Sequence, residues 1–481
     1  MNNNSISDKI INVVKWKIVE LIFLQVVNAG IPIVLARILS PEHFGTIAIL
    51  SIFISLANTF VNNGLGNAII QKHNSDEEDC STVFFAQLFI SVICYLVLFV
   101  IAPIISKIYN NIELINMIRI MSIIIVIGAF NTMQIVILKK NMDFYKSFIT
   151  NALSIVSYGG VGVFFALKGF ECWSLIFANI AKEIVLFICL SFTVRWKPRL
   201  KFSFEKLKKL FGFSWKLTIG WIIGTLHNDI YTLVIGKYFN NSILGYYNRA
   251  SSFPNIILKT STDVVENVMF PALSQIQHSK EKIKEVSRIF LSIVSYIAFP
   301  CFIGMAVASK NIIHVILTEK WLPSSSMMSI ICITYSFSAL NNANMQIFNS
   351  IGRSDVFMKI EIIKRSVSLL LLMLMTKTNI HAVTLILLYV TMLSALVNCY
   401  QNKKLLGYTY KQQIIDIFPS LLISLLMGSV VYFVGFLKYH VGIVLALQII
   451  VGIGIYLIES YIFKIRSFYL LIEMIKNKIK K

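Results

Sequence analysis

A small set of ionisable side chains sits inside long apolar stretches of this chain, where carrying charge is expensive. Lys182 stands beside Glu183 in the run 171–194. Lys259 is followed by Asp263 four residues on, and by Glu266 beyond it, in the run 249–274. Glu361, Lys364 and Arg365 occupy adjoining turns of the run 356–378. His227, Asn228 and Asp229 lie one turn past the Gly220/Gly224 pair in 210–238, and Arg119 is nearer the start of 112–138. Cations in apolar surroundings compensate a negative ligand, arginine by a planar fork and lysine as a point charge. The oxygens of Asp229 and Asn228 suit a hard cation, and His227 titrates near neutrality. A blander reading stands beside this one. Lys259–Asp263 and Glu361–Arg365, each spaced i,i+4, neutralise one another within a helix, and Lys182 pairs with Glu183. Covalent chemistry has no foothold: GxxxxGK[ST], HExxH and GxSxG are absent, and the seven cysteines are scattered. No catalytic residue, metal site or cofactor is expected.

Such side chains need elements that carry them through an apolar medium. Hydrophobic residues make up 57% of the 481 and charged ones 14%, against about 45–50% and about 25% in soluble domains. One core stops growing near ~250–300 residues, so the excess belongs to membrane spans. The apolar runs are continuous rather than alternating, which selects helices over a closed barrel. At about 20 residues per span, the runs predict an all-α, polytopic membrane protein of about 14 transmembrane helices. They cover 17–39, 44–66, 80–105, 112–138, 146–168, 171–194, 210–238, 249–274, 287–309, 324–349, 356–378, 380–402, 414–437 and 440–463.

The net charge of +21 would suggest nucleic acid in a soluble protein, but the basic residues here cluster between apolar runs. The expected partner is the lipid bilayer, not nucleic acid. With the N-terminus placed inside, 29 Lys/Arg fall on the cytoplasmic side and nine outside, which puts both termini in the cytoplasm. One connection departs from the pattern: in the first cytoplasmic loop Lys72 faces Asp76, Glu77, Glu78 and Asp79. The N-terminal residues combine no apolar stretch with a small-residue cleavage site, so no removed signal peptide is expected.

Two internal matches divide the chain. ARILSPEHFG (36–45) aligns with GKYFNNSILG (236–245) at a shift of 200, and MQIVILKKNMDFYK (133–146) with MQIFNSIGRSDVFMK (345–359) at 212. Six predicted helices separate the copies, an even number, so the halves are parallel repeats of one orientation. The expected organisation is an N-terminal lobe over 1–194, a basic cytoplasmic linker over 195–209, a C-terminal lobe over 210–402, and two extra helices with a basic tail over 403–481. The linker RWKPRLKFSFEKLKK spaces Leu200, Phe202, Phe204, Leu207 and Leu210 in a way that also suits an interfacial helix. Pro32, Pro103, Pro300 and Pro419 are candidate kinks.

The segments LARILSPEHFGTIAIL and NNGLGNAIIQK, and the mid-chain run NDIYTLVIGKYFNNSILGYYNRASSFPNIILK followed by VMFPALSQIQ, resemble bacterial polysaccharide flippases. These are the O-antigen, capsule and exopolysaccharide flippases of the multidrug/oligosaccharidyl-lipid/polysaccharide exporter superfamily. The likeness runs from about residue 17 to about 463. It implies a transporter, not an enzyme, in the bacterial cytoplasmic (inner) membrane. The implied cargo is an undecaprenyl-diphosphate-linked oligosaccharide, moved to the outer leaflet by alternating access for surface polysaccharide biosynthesis. On that implication Lys182, Lys259, Arg365, Lys364 and Arg119 are candidate partners of the diphosphate. Asp229, Asn228, His227, Asp263 and Glu361 are candidates for gating or for a coupling proton or sodium ion. A polysaccharide polymerase and chain-length machinery are the implied protein partners. Three alternatives stand beside this reading, one of them a peptidoglycan-precursor flippase with much the same fold. A drug/cation antiporter of the same superfamily would show more cavity carboxylates than cations. A polytopic polysaccharide polymerase would need a long external loop, and the longest external gap runs only from 309 to 324.

Overall fold

A computed structural model describes residues 23–62, 64–72, 75–276, 278–375 and 378–479. Among the described residues every regular element is helical. The chain divides into two compact units, Met1–Gly245 and Tyr246–Lys481. The first holds α1 (Phe23–Ile38), α2 (Pro41–Asn62), α3 (Leu65–Gln71), α4 (Glu77–Ile108), α5 (Leu114–Met121), α6 (Ile123–Lys140), α7 (Phe144–Leu167), α8 (Glu171–Val194) and α9 (Phe204–Tyr238). Helix α10 (Asn241–Val264) starts in the first unit and continues into the second. The second unit adds α11 (Phe270–Gln275), α12 (Lys280–Leu317), α13 (Ser324–Ser350), α14 (Ser354–Met375), α15 (Ile380–Leu406), α16 (Tyr410–Val434), α17 (Val441–Ile462) and α18 (Arg466–Ile479).

Nine helical stretches among the described residues are long and apolar enough to cross a membrane. Their packing is that of a bilayer protein: large apolar side chains such as Val100, Phe192, Phe433 and Ile450 face outward, while Ser91, Gln87, Ser424 and Gln448 are buried. Outward apolar atoms are stable only where the solvent is hydrocarbon. The chain is a multi-pass, all-α membrane protein. Helices also cover the more polar runs expected to span, in α9, α10, α13 and α14.

Boundaries follow local chemistry. Asp76 and Asp79 form a reciprocal capping box on α4, Thr409 and Gln412 do the same for α16, and Asp143, Ser203, Ser279 and Asn379 each cap the helix that follows. Gly407 closes α15 at φ 63, a left-handed position. Several expected boundaries shift. The run 112–138 breaks at Ser122 into α5 and α6. Residues 204–209 of the basic linker are the first turns of α9, and the basic tail contains α18. The run 249–274 begins earlier, at Asn241, and is interrupted by a π-helical turn over Val265–Met269. Pro103, Pro300 and Pro419 lie inside α4, α12 and α16, and Pro254, absent from the sequence reading, lies inside α10.

Within the first unit the two copies of the 36–45/236–245 motif touch. A Cβ built on Gly45 would stand 1.8 Å from the carbonyl oxygen of Asn241, and one on Gly245 would stand 1.9 Å from that of Pro41. Pro41 and Asn241, like Gly45 and Gly245, are 200 apart, so the contact is reciprocal, as across a two-fold axis. Asn241 Nδ2 also donates to Thr46 Oγ1 at 3.2 Å.

Candidate functional site

In the first unit a cavity of about 390 Å³ opens among α2, α5, α6 and α8. Helix α2 lines it with Ser51, Ser55, Asn58 and Asn62, and α8 with Asn179, Lys182 and Glu183. Offsets of four, seven and eleven residues place the four α2 side chains on one helical face, and Asn179, Lys182 and Glu183 share a face at offsets of three and four. Lys182 lies about 17 Å along α8 from its first residue, at 1.5 Å per residue.

The charge state of this cavity turns on how Glu183 is used. Asn131 Nδ2 donates to Glu183 Oε2 at 3.0 Å and to the Glu183 carbonyl at 3.2 Å. Lys182 Nζ stands 3.9 Å from the other carboxylate oxygen, beyond hydrogen-bond length. Lys182 is also the more open of the two, 38% exposed against 19%. The carboxylate is therefore anchored to α6 while the ammonium retains its donors. Around it, Thr132 Oγ1 donates to Asn62 Oδ1 at 2.6 Å, which fixes the C-terminal end of the polar stripe on α2. Hydroxyls, amides, one ammonium and one carboxylate make a polar surface that binds polar oxygens, with the ammonium the more open of the two charges.

The other candidates are dispersed. Arg119, on α5, lies over the Phe99 ring with its guanidinium carbon 4.2 Å from the ring centre, and its Nε donates to the Phe99 carbonyl at 3.4 Å. It is spent on α4 and does not line the cavity. Asp229, half-buried on α9, has no hydrogen bond or ion pair among the described residues. The side chains of His227 and Asn228 lie outside the described residues.

In the second unit Glu361 accepts from both Lys364 Nζ and Arg365 Nε, the latter at 3.1 Å. Two cations on one carboxylate leave one net positive charge on α14. Lys259 and Asp263 are both exposed on α10 and form no ion pair with each other among the described residues. Their helix turns π-helical two residues after Asp263, and π turns are frequent at functional sites. Sequence reasoning missed a second polar layer. Arg288 forks onto Asp416 at 2.7 and 2.8 Å, and Tyr408 donates to the same carboxylate at 2.7 Å. Asn398 and Asn402 donate across to Asn341 and Asn344. These tie α12 to α16 and α13 to α15.

The acidic loop that broke the charge pattern also finds its partners. Lys206 reaches Asp76 at 2.6 Å and Glu78 at 2.7 Å, Arg199 pairs with Glu77, and Lys72 with buried Asp79. The Lys206 ammonium, foremost, holds the Asp76 carboxyl down at about 2. The loop is acidic because the basic linker is folded onto it.

Many apolar helices around a polar, cation-bearing cavity define a membrane transporter fold. The family described as "Polysaccharide biosynthesis protein" matches residues 34–326, and the chain belongs to that family. It is 23% identical to the lipopolysaccharide biosynthesis protein WzxC of Escherichia coli (strain K12), over 89% of each chain. It is 25% identical to the succinoglycan biosynthesis transport protein ExoT of Rhizobium meliloti (strain 1021), over 63% of this chain and 61% of that one. Its fold is similar to the lipid II flippase MurJ in an inward closed conformation, with TM-score 0.77 and 17% identity, covering 94% of this chain and 98% of that one. The resemblance drawn from the sequence motifs holds at the level of family and fold.

Proposed function

We propose that this protein moves undecaprenyl-diphosphate-linked oligosaccharide repeat units from the cytoplasmic to the outer leaflet by alternating access, supplying surface polysaccharide biosynthesis. The observation that carries the reading is the polar cavity of the first unit, where Lys182 stands 3.9 Å from a Glu183 carboxylate that Asn131 holds by its other oxygen. The Lys182 ammonium meets the diphosphate, and the stripe Ser51, Ser55, Asn58 and Asn62 offers hydroxyls and amides to sugar oxygens. One charge-assisted hydrogen bond of this kind is worth about 1.5–3 kcal/mol. Membership of a polysaccharide biosynthesis family supports the glycan, and the transport named for ExoT supports movement rather than synthesis. The protein performs no covalent chemistry in this reading. It resides in the cytoplasmic membrane with both termini inside, as its basic loops favour. Lys259 and Arg365 assist the anion from the second lobe (210–402), and half-buried Asp229 takes a coupling proton or sodium ion. A polymerase and chain-length machinery receive the product.

An antiporter of organic cations would show more carboxylates than cations, whereas this cavity carries one of each, Glu183 and the more open Lys182. The test is surface glycan in cells carrying Lys182→Ala, Lys259→Ala or Arg365→Ala at matched protein levels. Lys182→Ala is expected to cut surface glycan most, since Arg365 already shares Glu361. Three silent variants would end the cationic-site reading.

A further inference from the structure

Residues 195–203 leave α8 and enter α9 as an irregular segment riveted to α4. The Arg199 amide donates to Ser81 Oγ at 3.0 Å and the Ser203 amide to Thr82 Oγ1 at 3.1 Å. Trp196 packs edge-on against Phe84 at 5.7 Å, and Lys206 grips Asp76 and Glu78. Between these rivets the Lys201 amide donates back to the Arg199 carbonyl at 2.7 Å, a tight turn that thrusts Leu200 outward. Leu200 is 95% exposed, Phe202 52% and Phe204 73%. Phe211 and Trp215, also exposed, continue the apolar face along α9 at offsets of seven and eleven from Phe204.

The charge around this ridge is one-sided. Among the described residues the nearby carboxylates are occupied: Asp76, Glu77, Glu78 and Asp79 by the linker and Lys72, and Glu205 by Lys209 at 2.7 Å. Arg195, Lys197, Lys201 and Lys208 are exposed and pair with no acid among the described residues. Unpaired cations beside outward Leu and Phe are the composition of an interfacial, anion-seeking surface. We propose that residues 195–203 and the first turns of α9 form a docking ledge for anionic phospholipid headgroups of the leaflet they face. In it Leu200, Phe202 and Phe204 enter the headgroup–acyl boundary, and Arg195, Lys197, Lys201 and Lys208 meet lipid phosphates. The acidic start of α4 serves to hold the ledge in place.

A nitroxide at position 200 (Leu200→Cys, with the seven native cysteines replaced) reads the depth of the ridge in the full chain. It is reconstituted in vesicles of phosphatidylcholine alone or mixed with phosphatidylglycerol. The proposal expects oxygen-favoured, interfacial accessibility with phosphatidylglycerol and a shift toward water without it. The change Lys197→Gln/Lys201→Gln/Lys208→Gln should produce the same shift in the mixed vesicles. A label that stays aqueous in both compositions, or interfacial in both alike, overturns it. Hydrogen exchange of residues 199–204 in the unaltered protein gives the same comparison without substitution. Slower exchange with phosphatidylglycerol supports the ledge, and equal exchange in the two lipids overturns it.

Discussion

Replacing Gly45 by alanine tests the reciprocal contact of the repeat directly. The new Cβ would lie 1.8 Å from the Asn241 carbonyl oxygen, and ordinary contact begins near 3.4 Å, so the start of α10 must withdraw by about 1.5 Å. Backbone, not a flexible side-chain end, has to move, and such overpacking costs about 1–3 kcal/mol. Gly245→Ala meets Pro41 at 1.9 Å and should cost a similar amount. Because one displacement relieves both clashes, the double substitution should cost clearly less than the sum, a coupling of order 0.5–3 kcal/mol. Gly160→Ala is the control: nothing lies within 4 Å of its Cβ among the described residues, so alanine should be neutral or stabilise α7 by about 0.5–1 kcal/mol. Equilibrium unfolding in detergent micelles, followed by tryptophan fluorescence, measures all four proteins. The reasoning fails if Gly45→Ala behaves like Gly160→Ala, or if the two clashing changes simply add.

Three further outcomes are expected. Asp416→Asn should destabilise the second unit by about 1–3 kcal/mol, since Arg288 and Tyr408 both lose a charged acceptor, whereas Tyr408→Phe should cost about 1 kcal/mol; thermal unfolding ranks them. The linker clasp should resist acid but not salt. The Asp76 carboxyl is held at about 2, below its ordinary 3.8, so its contribution is complete above the unfolded value and is lost only as pH falls through about 2. Hydrogen exchange at the Arg199 and Ser203 amides should then be unchanged by acidity down to about pH 4 once intrinsic rates are corrected, yet quicken in high salt or in Lys206→Gln. Asn131→Leu removes the donor that anchors Glu183, freeing that carboxylate to take Lys182; glycan export should fall while Asn131→Gln retains part of it.

Much of this was legible from residues alone. Continuous apolar runs marked the helices, and Lys182 stood out as a mid-run cation with Glu183 beside it as its possible partner. The stripe Ser51, Ser55, Asn58 and Asn62 was equally present in SIFISLANTFVN, at helical spacing, but small polar residues in an apolar run carry no charge to draw attention. Pairings distant in sequence were beyond reach. Glu77 with Arg199 and Arg288 with Asp416 join positions more than a hundred residues apart, which periodicity does not connect. The acidic first loop therefore looked like an exception to the charge rule when it is the linker's counterpart. Intrahelical pairs were the opposite case: the i,i+4 spacing of Glu361 and Arg365 already contained their pairing, while Lys259 and Asp263, with identical spacing and both exposed on α10, form no ion pair with each other among the described residues.

The most direct test is translocation of an undecaprenyl-diphosphate-linked oligosaccharide in vesicles containing only this protein. The unaltered chain should move it across the bilayer. Lys182→Ala should slow that movement roughly 10- to 100-fold, the equivalent of one charge-assisted hydrogen bond, with Lys182→Arg recovering part of the rate. Vesicles in which the unaltered chain moves no lipid-linked glycan, or in which Lys182→Ala runs at the full rate, would contradict the account.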